Sequence, residues 1–145
     1  MSDQLSIISS EVMEMFYEPD NFLIIQRWKG GGLDEEKFKQ TILQVNEQGE
    51  RMANMGMKVF YEIIVPQFSF MVPPDLQEWA AEQTKEVIKK VGLQKIAVVI
   101  PTAVQEQLNI EALSVEQTVE EMAKIGVAYR IVGSEAEARG WFLET

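Results

Sequence analysis

The sequence predicts an α/β fold, a five-stranded mixed sheet with about four helices, in one domain covering residues 1–145. Three observations lead there. Runs of β-forming residues alternate with amphipathic stretches that open on helix-capping residues, a pattern that gives parallel strands joined by helical crossovers. Two of these runs, MKVFYEIIV and KIAVVIP, are almost wholly apolar, as strands covered by helices on both sides are. The first two runs, in contrast, are joined by EPDN alone, which makes them an antiparallel hairpin and the sheet mixed.

Taken in order, VMEMFY (12–17) and FLIIQRW (22–28) are the hairpin strands. Pro19 has the fixed φ of the second position of a type I turn, and Asp20 and Asn21 tolerate turn geometry. KGGG follows, then a helix over 34–54 with Asp34 as N-cap and Leu33 and Phe38 spaced for a hydrophobic staple. Its core positions are Phe38, Ile42, Val45 and Met52. The third strand is 57–65. A second helix opens at Pro73, Pro74 and Asp75, where proline is tolerated in the first turn and an acid suits the positive helix end. It presents Leu76, Trp79, Ala80, Val87 and Val91, and stops at Gly92. The fourth strand is 95–101. A short helical stretch at 103–108 and a longer helix opened by the capping box at 114–117 lead to Gly126 and the fifth strand, VAYRIV (127–132). A second capping box, 134–137, starts a final helix carrying Trp141 and Phe142.

Composition removes several functions. Thirteen lysines and arginines against 23 acids leave a formal charge of -10, a sign that repels polyphosphate backbones and anionic headgroups, so nucleic-acid binding is not expected. The longest apolar run, 96–100, falls far short of the roughly 18 residues a membrane span needs. The opening MSDQLSIISSEV has no positive segment ahead of an apolar one, and the reading is a cytoplasmic protein. With no cysteine and no histidine there is no thiol nucleophile, no thiolate or imidazole metal ligand and no imidazole base. An enzyme built from this chain would depend on carboxylates, hydroxyls, lysine, tyrosine or a carboxylate-bound metal.

Two short motifs are set aside. KGGG has the strand-to-helix context of a phosphate cradle, but Asp34, Glu35 and Glu36 would repel a phosphate there, and it reads as a flexible turn. Glu116, Glu120 and Glu121 lack the glycine-turned loop of a calcium site and read as a solvated helix face. No metal and no cofactor is expected.

Two candidates for function remain. The connection 66–74 carries Phe68, Phe70 and Met71 where polar turn residues are usual. Either they fold back over the sheet end as core, or another molecule covers them. Connections at the carboxyl ends of parallel strands are favoured ligand positions. The second candidate is Glu62, a lone charge in an otherwise interior strand. It must pair with a cation, for which Arg27 and Arg130 are available, or hold a proton at raised pKa, or lie where solvent reaches it.

The hairpin-first alternation, the stretch FYEIIVPQFSFMVPPDLQEW and the ending GSEAEARGWFLE together resemble the SpoIIAA-like family of STAS and SEC14-type domains. The resemblance spans the whole chain and implies a right-handed βα superhelix serving as a non-catalytic regulatory module. Founding members carry an Asp-Ser-Ser-Gly motif between the third strand and second helix, whose serine is phosphorylated. Here the matching positions hold Val72, Pro73, Pro74 and Asp75, so the phosphoacceptor is missing. Ser69 lies nearby but off the motif and without flanking arginines. The expected binding residues are Gln67, Phe68, Ser69, Phe70, Met71, Val72, Asp75, Trp79 and Glu62. Three readings stay open: a module holding a protein partner or a small apolar ligand, a carboxylate enzyme with Glu62 as base, and a self-associating homodimer.

Overall fold

The structure, a computed structural model, describes residues 4–29, 34–67, 73–100, 120 and 122–144, without the side chains of Pro66, Gln67 and Pro74. Six strands form one mixed sheet in chain order: β1 (Leu5–Ser9), β2 (Met13–Glu18), β3 (Leu23–Lys29), β4 (Tyr61–Gln67), β5 (Lys95–Val99) and β6 (Ala128–Val132). The first three strands pair antiparallel, and β3 through β6 pair parallel. Helices α1 (Glu35–Asn54) and α2 (Pro74–Val91) connect the parallel strands, and α3 (Glu135–Leu143) follows β6.

The expected mixed α/β class holds, with six strands instead of five. The additional strand is β1, whose residues LSIIS bury only Ile8, so no alternating apolar face marks it in the sequence. What makes it a strand is Ser10. Its hydroxyl oxygen accepts from the backbone N–H of Val12 at 3.2 Å and of Met13 at 3.0 Å, folding the chain back so that β1 pairs with β2.

At the described ends of α1, α2 and α3 the expected caps form. Asp34 accepts from the Lys37 amide at 2.8 Å, Ser134 accepts from the Glu137 amide at 3.1 Å, and Gly92 takes the left-handed conformation that ends α2. The EPDN turn becomes one 3-10 turn, Pro19–Asn21, followed by Phe22 at φ 50°, a left-handed conformation costly for a bulky side chain. Its carbonyl accepts from the amides of Phe60 and Tyr61 at 2.9 and 3.1 Å and its ring packs on Phe60 at 4.8 Å, contacts that hold it there.

The β4 strand is displaced from its expected limits. It starts at Tyr61 and continues through Pro66 and Gln67, which pair with Trp28 and Lys29 of β3. Proline fits because pairing with β5 stops at Ile64, so Pro66 lies past the doubly bonded part of the strand.

Strand alternation divides the core in two. One face of the sheet, with Met13, Met15, Ile24, Trp28, Ile96 and Val98, packs against α1, α2 and Met122. The opposite face, with Leu23, Ile25, Ile63, Ala97 and Val99, is covered by Ala138 and Phe142 of α3. Under the first face α1 and α2 approach so closely that a Cβ on Gly49 would lie 2.6 Å from Val87 Cγ1. Gly49→Leu is therefore expected to destabilise the fold by about 1–3 kcal/mol through overpacking, more than the ~1 kcal/mol gained by removing a glycine from a helix. Urea denaturation would show it as a lower midpoint at unchanged slope.

Candidate functional site

Register sets the chemistry of the helix-covered face. Tyr17, Ile24, Glu62, Ile96 and Tyr129 are cross-strand partners in one row from β2 to β6. One step along, Gln26 pairs with Ile64 and points to the same face. Gln26 is 6% exposed and Trp28 3%. The Trp28 indole N–H, which can only donate, gives its proton to Gln26 Oε1 at 3.1 Å. This fixes which end of the amide faces inward, and Gln26 Nε2 donates to Glu62 Oε1. Trp28 is itself held by the Phe38 ring of α1, 5.4 Å between centroids. The order of support runs from α1 through Trp28 and Gln26 to the carboxyl.

Glu62 is surrounded by protein, and burial pushes its pKa up to about 7 against the lowering effect of the Gln26 hydrogen bond. As a residue it is nevertheless partly exposed. Tyr129 is also partly exposed, and burial together with the Glu62 charge raises its pKa, so its phenol is neutral and available as a donor. Among the described residues no lysine or arginine forms an ion pair with Glu62.

The cations expected to serve Glu62 lie elsewhere. Arg27 follows Gln26 and so points to the other face, where it pairs with Glu135 of α3. Arg130 stands 5.8 Å from the Trp141 ring. Both assignments to Glu62 are corrected by strand parity: a residue one position away from the row cannot share its face.

Glu18 shows how this chain treats a carboxylate that serves structure. Its side chain is 3% exposed and accepts from Arg139 Nη1 at 3.1 Å and Nη2 at 2.7 Å, from Gln4 at 2.8 Å and from Asn21 at 2.8 Å. Arg139 above all holds its pKa down at about 2. Two glutamates of one sheet thus have opposite settings: Glu18 is buried and anionic with its counter-ion in place, and Glu62 is partly exposed with its pKa raised to about 7.

No family model, curated protein or solved structure matches the chain.

The residues expected to form one site are divided. Phe68, Ser69, Phe70, Met71 and Val72 lie outside the described residues, as do Glu116 and Glu121. Gln67 belongs to the end of β4, not to a loop, because β3 continues to pair with it. Asp75 is exposed in the first turn of α2, and Trp79 is partly buried against the core with Lys39 Nζ 5.5 Å from its ring. Glu62 is separated from Gln67 by five residues of extended chain, roughly 16 Å. It therefore belongs to a second place, near the amino end of β4, with Gln26 and Tyr129. Neither of those two was singled out by sequence reasoning. Gln26 carried a signal: it is the polar residue in FLIIQRW that alternation puts on the same face as Ile24 and Trp28.

Among the described residues no helix is long and apolar enough to cross a membrane, and no cluster of three acids is placed to hold a metal ion.

Proposed function

We propose that the chain is a non-catalytic binding module of the SpoIIAA-like kind, without its phosphoswitch, holding a small molecule at the hydrogen-bonded pair Gln26 and Glu62. The observation that supports this is Glu62, partly exposed, hydrogen-bonded to Gln26, its pKa raised by burial to about 7, and in no ion pair among the described residues. A buried acid without a counter-charge destabilises a fold, and such groups concentrate where a protein meets a ligand. The amide of Gln26, fixed by Trp28, adds an oriented polar group beside Glu62, as small-molecule sites do. Native mass spectrometry of the intact chain tests this: the wild type is expected to carry a small-molecule mass that Glu62→Gln lacks. A bare wild-type mass, or the same adduct on both proteins, would count against it.

One observation favours a second reading. A carboxyl whose pKa burial raises to about 7 has the property a general base needs at neutral pH. In an enzyme of that kind Glu62→Gln would abolish turnover and leave ligand binding intact, whereas in a binding module it removes binding itself.

A further inference from the structure

The two faces of the sheet are closed by different means. On the first face α1 buries Phe38, Val45 and Met52, and α2 adds Leu76, Ile88 and Val91. The opposite face is as apolar, with Leu23, Ile25, Ile63, Ala97, Val99 and Val132 buried. What covers it among the described residues is α3, nine residues of which only Ala138 and Phe142 are buried. The apolar hold of α3 therefore rests mainly on one large side chain, Phe142, stacked on Tyr61 at 4.7 Å between ring centroids, with Trp141 partly buried beside it.

Polar contacts from three strands supply the rest. Glu135, in the first turn, pairs with Arg27 of β3, and Arg139 pairs with Glu18 of β2. At the far end the carbonyls of Trp141 and Glu144 accept from Lys95 Nζ of β5 at 3.0 and 2.8 Å. Solvent reaches these contacts: the Arg27 and Glu135 side chains are 34% and 32% exposed and that of Arg139 is 40% exposed, so salt weakens both pairs.

We propose that α3 is a salt-sensitive latch, which lifts from the sheet as a unit while the strands, α1 and α2 stay folded, and uncovers the aliphatic face that holds Ala97 and Val99. It pivots on Gly133 and Ser134, the two residues that join it to β6. Nine residues are too few to persist as an isolated helix in water, so the lifted segment unfolds. Openings of this kind begin at the element with the fewest buried apolar contacts, and among the described helices that element is α3. Exposing the aliphatic face to water keeps the open state rare, and its signature is a rate of access.

The chain has no cysteine, so an introduced thiol is the only one that can react. Val98 and Val99 are neighbours on β5 with matched exposures of 7% and 8%, and alternation puts Val98 on the face under α1 and α2 and Val99 on the face under α3. Val98→Cys and Val99→Cys, each in the full chain, are treated with a thiol-exchange reagent in about 0.05 M and about 1 M potassium chloride. The thiol at position 99 is expected to react about tenfold faster than that at 98 in low salt. High salt should widen the ratio about tenfold further, since each of two partly exposed pairs contributes up to about fivefold. Equal rates at the two positions, or a ratio that salt leaves unchanged, would overturn the latch. Amide hydrogen exchange of the wild type reads the same event without a substitution. The amides of Arg139, Gly140 and Phe142 are expected to exchange faster than those of Ile96 and Ala97, and faster still in high salt. If Arg139 and Gly140 keep pace with β5 while the last turn alone is fast, the helix end frays without lifting and the proposal fails.

Discussion

Replacing Arg139 with alanine is expected to destabilise the fold by about 3 kcal/mol at neutral pH, the lower end of the range for stripping one partner from a buried ion pair. The lower end is appropriate because the Arg139 side chain is 40% exposed and part of its interaction is screened by solvent. What makes the loss large is the state of Glu18, which at 3% exposure would keep its charge with only Gln4 and Asn21 as donors. The bridge also joins distant parts of the chain. Arg139 is in α3 and Glu18 in β2, so the pair holds the last helix over the second face of the sheet beside Phe142 and Ala138. Linkage gives a second readout. The folded pKa of Glu18 is depressed to about 2 from 4.5, so its contribution is complete above pH 4.5 and is lost as pH falls through about 2. Urea denaturation across that range should show the difference between wild type and Arg139→Ala shrinking as the solution becomes acid. A neutral-pH difference within about 0.5 kcal/mol, the size of an ordinary surface substitution, would show that the pair carries no such role. The double variant Arg139→Ala with Glu18→Gln should regain part of the loss, since no buried charge is left behind.

That bridge also shows where sequence reading stops. Caps and turns are local, and they were legible: Asp34, Ser134, Gly92 and the proline entry to α2 each act on backbone within a few residues. Helix spacing gave Phe38, Val45 and Met52 as core correctly, because those positions repeat against one face. β1 was missed for the opposite reason. An edge strand with one buried residue exists through pairing with β2 and has no apolar face of its own to announce it. The Glu18–Arg139 pair joins residues 121 positions apart, and no local pattern selects Arg139 from thirteen cations. Glu62 stands between these cases. Its isolation within an apolar strand marked it as a carboxyl needing a partner or a proton, while its companions Gln26 and Tyr129 depended on a register that only the folded sheet supplies. The same register sets it five positions of extended strand away from Gln67, with which sequence proximity groups it.

Replacing Glu62 with glutamine is expected to move stability the other way, raising it by up to about 3 kcal/mol in the region of pH 8. The sign comes from the raised pKa. In the unfolded chain the carboxyl ionises around 4.5, and in the fold it holds its proton to about 7. The folded state therefore binds the extra proton between those values, and the wild type loses stability steadily as pH rises through that window. Partial exposure of Glu62 places the measured gain below the upper figure, at about 1–3 kcal/mol. Below pH 4.5, where the carboxyl is protonated in both states, variant and wild type should unfold at nearly the same urea concentration. Glutamine can keep the contact to Gln26 through its own oxygen, so packing is not at issue. Two glutamates then limit the molecule from opposite sides, Glu18 in acid and Glu62 toward alkaline pH. Glu18 stabilises the fold by holding α3 to β2, and the side chain at position 62 weakens the fold at neutrality where a glutamine would not. A residue that lowers stability in the middle of a well-packed face is the kind of exception expected at a functional position. Carbon NMR of the Glu62 carboxyl tests the premise: titration near 7 is the expected result, and a normal value near 4.5 would remove both the stability difference and the main support for a ligand beside Glu62.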